Sequence, residues 1–180
     1  MKNYVFPETI DGTAIRDLRH RLSMTQRELA VFLRVSVKTV ERWESGKEPI
    51  TGPIIPLVRI LREDERIPDR YLIPERRFPL RLWYYFRDDV CTIIDVETDK
   101  QRVEIYNYTD HIQFRAFGVV EHPTWKQYEQ FLESRCFPRT RDKIKIELRA
   151  LDLPFYDPLM IIEKTEGRMA DDEFRIRVER

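Results

Sequence analysis

Between Ser23 and Pro49 the chain reads SMTQRELAVFLRVSVKTVERWESGKEP, and its polar side chains fall in a pattern suited to a phosphate-lined groove. Thr25 can cap a helix, and Glu28 three residues on completes a capping box. That helix opens with Gln26 and Arg27 and turns Leu29, Phe32 and Leu33 inward. A short turn at Arg34-Val35 follows. Ser36 then caps a second helix, in which Val40 and Trp43 face a core. Its opposite side carries Val37, Lys38, Thr39, Glu41 and Arg42, and Lys47 stands in the loop beyond. Lysine and arginine donate charge-assisted hydrogen bonds to phosphate oxygens and guanine edges, and smaller polar and apolar groups discriminate among the other bases. Two short capped helices joined by a tight turn form the helix-turn-helix geometry, whose second helix places its N-terminal residues against base edges in the major groove. Glu41 and Glu44 are expected as solvated or intrahelical partners rather than as readers of cytosine. Arg16, Arg19 and Arg21, on a preceding helix, fit either phosphate contact or a solvated face.

The elements that hold this segment follow from hydrophobic spacing. Residues 1–12 read as an extended lead, with Asp11-Gly12 as a turn signal. From Thr13 to about Asp64 the apolar residues recur at helical intervals: Ile15, Leu18, Leu22; Leu29, Phe32, Leu33; Val40, Trp43; Ile54, Leu57, Val58, Leu61. Four helices result, within an all-α domain over residues 1–65. Residues 66–79, with Pro68, Pro74 and Pro79, read as a linker. Beyond it the period changes. Leu80–Arg87, Val90–Val96 and Arg102–Tyr108 predict antiparallel strands, with a polar turn at Glu97–Lys100 and a fourth strand at His111–Gly118. Thr124 with Gln127 predicts a capped helix through Trp125, Tyr128, Phe131 and Leu132. Thr140 is expected to cap a second helix carrying Ile144, Leu148 and Leu151. Asp157-Pro158 opens a third, stopped by Gly167, and Phe174–Val178 returns as an edge strand. Residues 80–180 thus form a small α+β domain with an antiparallel sheet.

The residues Met24-Thr25-Gln26, Glu28-Leu29-Ala30, Leu33, Val35-Ser36, Thr39-Val40, Trp43-Glu44 and Gly46 closely resemble the lambda-repressor-like, or Xre, helix-turn-helix family over roughly residues 13–64. The resemblance implies a four- to five-helix DNA-binding domain. Gln26 would meet phosphate or a base edge; Val37, Lys38, Thr39 and Arg42 would form the recognition face on operator DNA; Lys47 suits phosphate; and Arg27 and Ser36 complete the expected DNA-binding set. Arg34 departs from the glycine usual in the family's turn, at some left-handed strain. The stretch from Gly46-Lys47 to Ile60 also resembles antitoxins that repress their own toxin–antitoxin operons. Residues 131–178 resemble the N-terminal subdomain of HipA-type toxin kinases through Phe131-Leu132, Pro138, Arg141-Asp142, Asp157-Pro158, Ile161-Ile162 and Gly167. That subdomain is non-catalytic, and the kinase lobes have no counterpart here. Such a kinase is the partner this resemblance implies.

Other chemistry is thinly represented. His20, His111 and His122 are scattered, and Asp88-Asp89 and Asp171-Asp172-Glu173 read as solvated turns. No nucleophile–base pair, metal spacing or glycine-rich loop is present, so neither an enzyme nor a cofactor is expected. Arg135, Arg139, Arg141, Lys143, Lys145 and Arg149 form a basic cluster read either as a solvated face or as a partner surface. Cys91 and Cys136 are expected as free buried thiols in a reducing cytoplasm. No apolar run is long enough for a membrane span. The formal net charge is zero, yet Thr13–Arg62 holds ten Lys/Arg against five Asp/Glu, a local +5. These readings converge on a cytoplasmic, dimeric transcriptional repressor of a toxin–antitoxin-like operon, with a C-terminal domain for protein contact. The alternative is a ligand-sensing regulator with a pocket around Trp83, Tyr84, Tyr85 and Phe86.

Overall fold

A computed structural model of the protein describes residues 2–180. Over these the chain separates into two compact units, divided between Ile73 and Pro74. The proline-bearing segment is therefore shared out. Pro68–Tyr71 forms a 3-10 turn, and Ile67 packs against the core of the first unit.

The first unit is built from α1 (Gly12–Arg21), α2 (Gln26–Leu33), α3 (Val37–Glu44) and α4 (Ile54–Glu63). Their apolar stripes meet in one core of Ile15, Leu18, Leu29, Ala30, Val40, Ile54, Ile55, Val58 and Leu61, with Phe32, Leu33 and Trp43 packed at its margin. Each start has a physical cause. Asp11 accepts the Ala14 amide at the head of α1, the Thr25–Glu28 capping box closes α2, and Ser36 accepts the Thr39 amide for α3. Pro56 sits in the first turn of α4, where its missing N–H breaks no intrahelical bond. The α2–α3 turn runs through Arg34, which adopts the left-handed conformation at φ 57°. Gly12 is not a free turn residue. A Cβ there would collide with the Trp43 carbonyl oxygen, so glycine is what lets α1 start against the end of α3. Backbone bonds between Ile10 and Ile50, at 3.0 and 2.9 Å, fasten the lead to the α3–α4 loop.

The second unit is α+β. Strands β1 (Leu80–Phe86), β2 (Asp89–Glu97), β3 (Arg102–Asn107) and β4 (Phe174–Glu179) form an antiparallel sheet in the order β3-β2-β1-β4. Leu82 pairs with Ile94 and with Val178, which puts the even-numbered β1 residues on the helix-covered face. There Leu80, Leu82, Tyr84, Ile94, Val96 and Ile176 meet Tyr128, Phe131 and Leu132 of α5 (Trp125–Ser134), Leu148 of α6 (Ile144–Ala150), and Ile161 and Ile162 of α7 (Pro158–Thr165). On the other face the register pair Arg81–Asp95 forms a buried two-pronged ion pair at 2.6 and 2.7 Å. The α5 capping box, the Asp157 cap with Pro158 at the first helical position, and the β4 edge strand stand where the spacing predicts them.

Two expectations fail. Residues 111–118 are not a strand: Arg115 N bonds Ile112 O and Gly118 N bonds Arg115 O, so the segment coils in successive three-residue turns. This lets Phe114 stack on Phe86 with ring centres 4.4 Å apart. Thr140 caps no helix. Turns closed by Arg141 N on Pro138 O and by Ile144 N on Arg141 O consume the intervening residues. α6 starts only at Ile144, after Lys143 in a left-handed conformation. Cys91 and Cys136 are both free and buried.

Candidate functional site

With 3.6 residues per turn, Val37, Lys38, Glu41, Arg42 and Ser45 share one arc of about 140° on α3. All five are exposed, whereas Val40 and Glu44, just beyond the Val37 edge of this arc, are buried. Thr39 lies about 60° beyond the Arg42 end of this arc, half-buried. Its hydroxyl is 2.8 Å from that of Ser36, so these two predicted site residues bond each other while Ser36 also caps the helix.

What fixes α3 is Glu44. Its side chain is 4% exposed and takes Arg19 Nε on one carboxylate oxygen at 2.7 Å and Arg19 Nη2 on the other at 3.1 Å. The amide nitrogen of Gln26 donates to the second oxygen at 2.9 Å, and Arg16 Nη2 donates to the Glu44 backbone oxygen at 2.6 Å. Burial alone would raise the Glu44 carboxyl, but the bonds from Arg19 and Gln26 outweigh it and hold it below the ordinary glutamate value. One carboxylate thus ties α1 and α2 to α3. This corrects the expectation of a solvated or intrahelical Glu44 and of Arg19 on phosphate or in water. A signal was present: Glu44 falls four residues after Val40, on the buried line of the helix. Gln26 is half-buried, with one amide N–H donated to Glu44.

Apart from Lys2 in the exposed lead, the remaining cations of this unit fall into two groups. Arg16, Arg19, Arg21, Arg59, Arg66 and Arg70 are ion-paired, and Arg62 donates to the Ala14 carbonyl. Arg27, Arg34, Lys38, Arg42 and Lys47 are exposed and have no ion-pair or side-chain hydrogen-bond partner among the described residues. All five lie on α2, on α3 or in the turns flanking them.

The second unit rearranges the basic cluster. Arg135 does not belong to a surface: it is 7% exposed, and its guanidinium bonds the Gly167 oxygen at 2.7 and 3.0 Å and Asp172 at 2.5 and 3.0 Å. It falls four residues after buried Phe131, which is again the inward line of its helix. Arg139 and Arg141 are exposed but engaged by Glu133 and Glu147. Lys143, Lys145 and Arg149 remain exposed without ion-pair partners among the described residues. Lys145 and Arg149 border a concavity of about 420 Å³ floored by Leu148, Leu153 and Pro154.

Around the predicted aromatic pocket the rings pack on one another. Tyr84 stacks on Phe174 at 4.9 Å and meets Phe131 edge-on at 5.2 Å, while the Trp83 indole donates to Glu179 at 2.8 Å. Burial pushes the Tyr84 hydroxyl up to about 12. No group of three metal-ligating side chains occurs, and no helix is long and apolar enough to cross a membrane, among the described residues. No protein-family model, curated protein or solved structure matches the chain.

Proposed function

We propose that the first unit is a helix-turn-helix module that binds double-stranded DNA sequence-specifically, with α3 in the major groove. The chain then acts as a transcriptional regulator, a repressor that binds as a homodimer and uses its second unit for protein contact. The observation that carries this reading is the segregation of cations. Away from α2 and α3 the arginines of the unit are engaged by carboxylates or, for Arg62, by a backbone carbonyl, whereas the five cations around this helix pair are exposed and have no ion-pair partner among the described residues. Unpaired surface cations gain little within the protein and are available to phosphate. The Glu44 clamp supports the same reading, because base readout requires the inserted helix to be held rigidly on its scaffold.

The test is a salt titration of the full chain against duplexes selected from a randomised pool. Arg27, Arg34 and Lys47 set on phosphate in both protomers of the homodimer, six contacts, give a slope of log affinity on log salt of about −5. Lys38→Ala and Arg42→Ala should each weaken the selected duplex by about 1–3 kcal/mol while leaving the thermal melt unchanged. Failure to enrich any sequence, or a slope near zero, overturns the proposal.

A further inference from the structure

The outer arc of α3 is chemically mixed. A surface that only gripped phosphate would be uniformly basic. This one sets Lys38 and Arg42 beside an exposed apolar side chain, Val37, and an exposed carboxylate, Glu41. Val37 is the first residue of the helix and 37% exposed, the only apolar group in the arc. Glu41 lies three residues from Lys38 and next to Arg42, yet pairs with neither. Resting on the DNA-binding reading above, we propose that Val37 and Glu41 set the specificity of α3, Val37 by seating the 5-methyl group of a thymine and Glu41 by accepting from the 4-amino group of a cytosine.

The chemistry of base edges leaves little choice. In the major groove the apolar feature is the thymine methyl. A carboxylate there is repelled by phosphate and by the N7 and O6 or O4 acceptors. It is stabilised only by an amino donor. The adenine amino group is flanked by acceptors on both sides, N7 and the O4 of its thymine. The cytosine amino group has an acceptor on one side only, so cytosine fits better. Val37 and Glu41 are four residues apart, about 6 Å along the helix. Base pairs stack about 3.4 Å apart, so the thymine and the cytosine stand within about two base-pair steps of each other in each half-site.

The experiment has a protein arm and a DNA arm. Duplexes are selected from a randomised pool with the full chain, and each thymine of the selected half-site is then replaced singly by uracil, which removes only the methyl group. One replacement should weaken binding about three- to fivefold, the worth of one buried methyl group, and Val37→Ala should erase that difference while binding the thymine duplex no better than the uracil one. Glu41→Gln should lose at least about fivefold discrimination at a cytosine within two steps of that thymine. It should also bind unselected duplex more tightly, because a negative charge leaves the phosphate-facing side. A structural role for Glu41 would instead lower both affinities. If a sequence is selected but no uracil replacement matters, or no cytosine stands within two steps, the inference fails while DNA binding stands. If no sequence is selected, the underlying reading fails.

Discussion

Glu44 and Glu41 are one turn apart on the same helix and have opposite roles, which their residue type does not disclose. Glu44 shares the line of Val40 and is clamped by Arg19 and Gln26; Glu41 is exposed, with no side-chain partner among the described residues. Arg135 repeats the case at the C-terminal cap of α5, where the line of Phe131 carries it to Gly167 and Asp172. Helical spacing holds this information, but a charge-by-type reading of the sequence passes over it, because which helix crosses that line is a tertiary fact. Removing Arg19 leaves the buried Glu44 carboxylate only the Gln26 amide and a distant Arg16 at 3.9 Å. Arg19→Ala should therefore cost about 3 kcal/mol, read by thermal or urea unfolding. The Glu44 carboxyl titrates below its ordinary value of 4.5, so its contribution is complete above that pH and is lost as pH falls through the depressed value. Glu44→Gln should accordingly flatten the acid limb of the stability curve of the first unit; an unchanged limb would place the acid sensitivity elsewhere. At Arg34 the arithmetic runs the other way. A left-handed non-glycine residue carries about 1–2 kcal/mol of strain, more than the entropy that glycine adds to the unfolded chain. Arg34→Gly should stabilise the fold by about 0.5–1 kcal/mol and, on the proposed DNA-binding reading, make the salt slope shallower by about 1.8, through loss of one phosphate contact from each protomer of the homodimer.

At the scale of elements, local hydrogen-bond chemistry was legible wherever a short motif closed on itself. Thr25 with Glu28, Thr124 with Gln127, and Asp157 with Pro158 each start the helix their spacing predicts. Thr140 fails because its competitors lie outside the motif: the turn from Pro138 to Arg141 and left-handed Lys143 delay the helix until Ile144. The segment 111–118 fails for a related reason. Its apolar residues alternate loosely, but what settles them is the Phe86 ring, which draws Phe114 in from a turn. A paired measurement separates the two threonines. Thr25→Ala should cost about 1 kcal/mol, because the Glu28 amide loses its acceptor, whereas Thr140→Ala should leave the melt within experimental error. A loss at Thr140 equal to that at Thr25 would mean that a helix start exists upstream of Ile144.

At the scale of the whole chain, each unit has the apparatus of an independent fold. The core around Ile15, Leu18, Leu29 and Val40 draws only on residues before Ile73, and the core around Leu82, Ile94, Phe131 and Ile162 only on residues after Pro74. The sequence pointed to this division through the change of period from helical to alternating, although its proline segment is apportioned between the units. Residues 74–180 expressed alone should therefore melt in one cooperative transition. Both thiols lie in this unit and supply a second readout. Burial raises the Cys91 thiol and pushes the Cys136 thiol up to about 12, so neither forms appreciable thiolate at neutral pH. Labelling by a thiol reagent should wait for unfolding, since the thiolate is the reacting species and burial denies it access. If the two units are energetically independent, the isolated fragment and the full chain label at the same rate, and Arg19→Ala in the first unit leaves that rate unchanged. A fragment that labels many times faster than the full chain would show that the helical unit contributes to the stability of the sheet. Rapid labelling of the native full chain would instead remove Cys91 and Cys136 from the core.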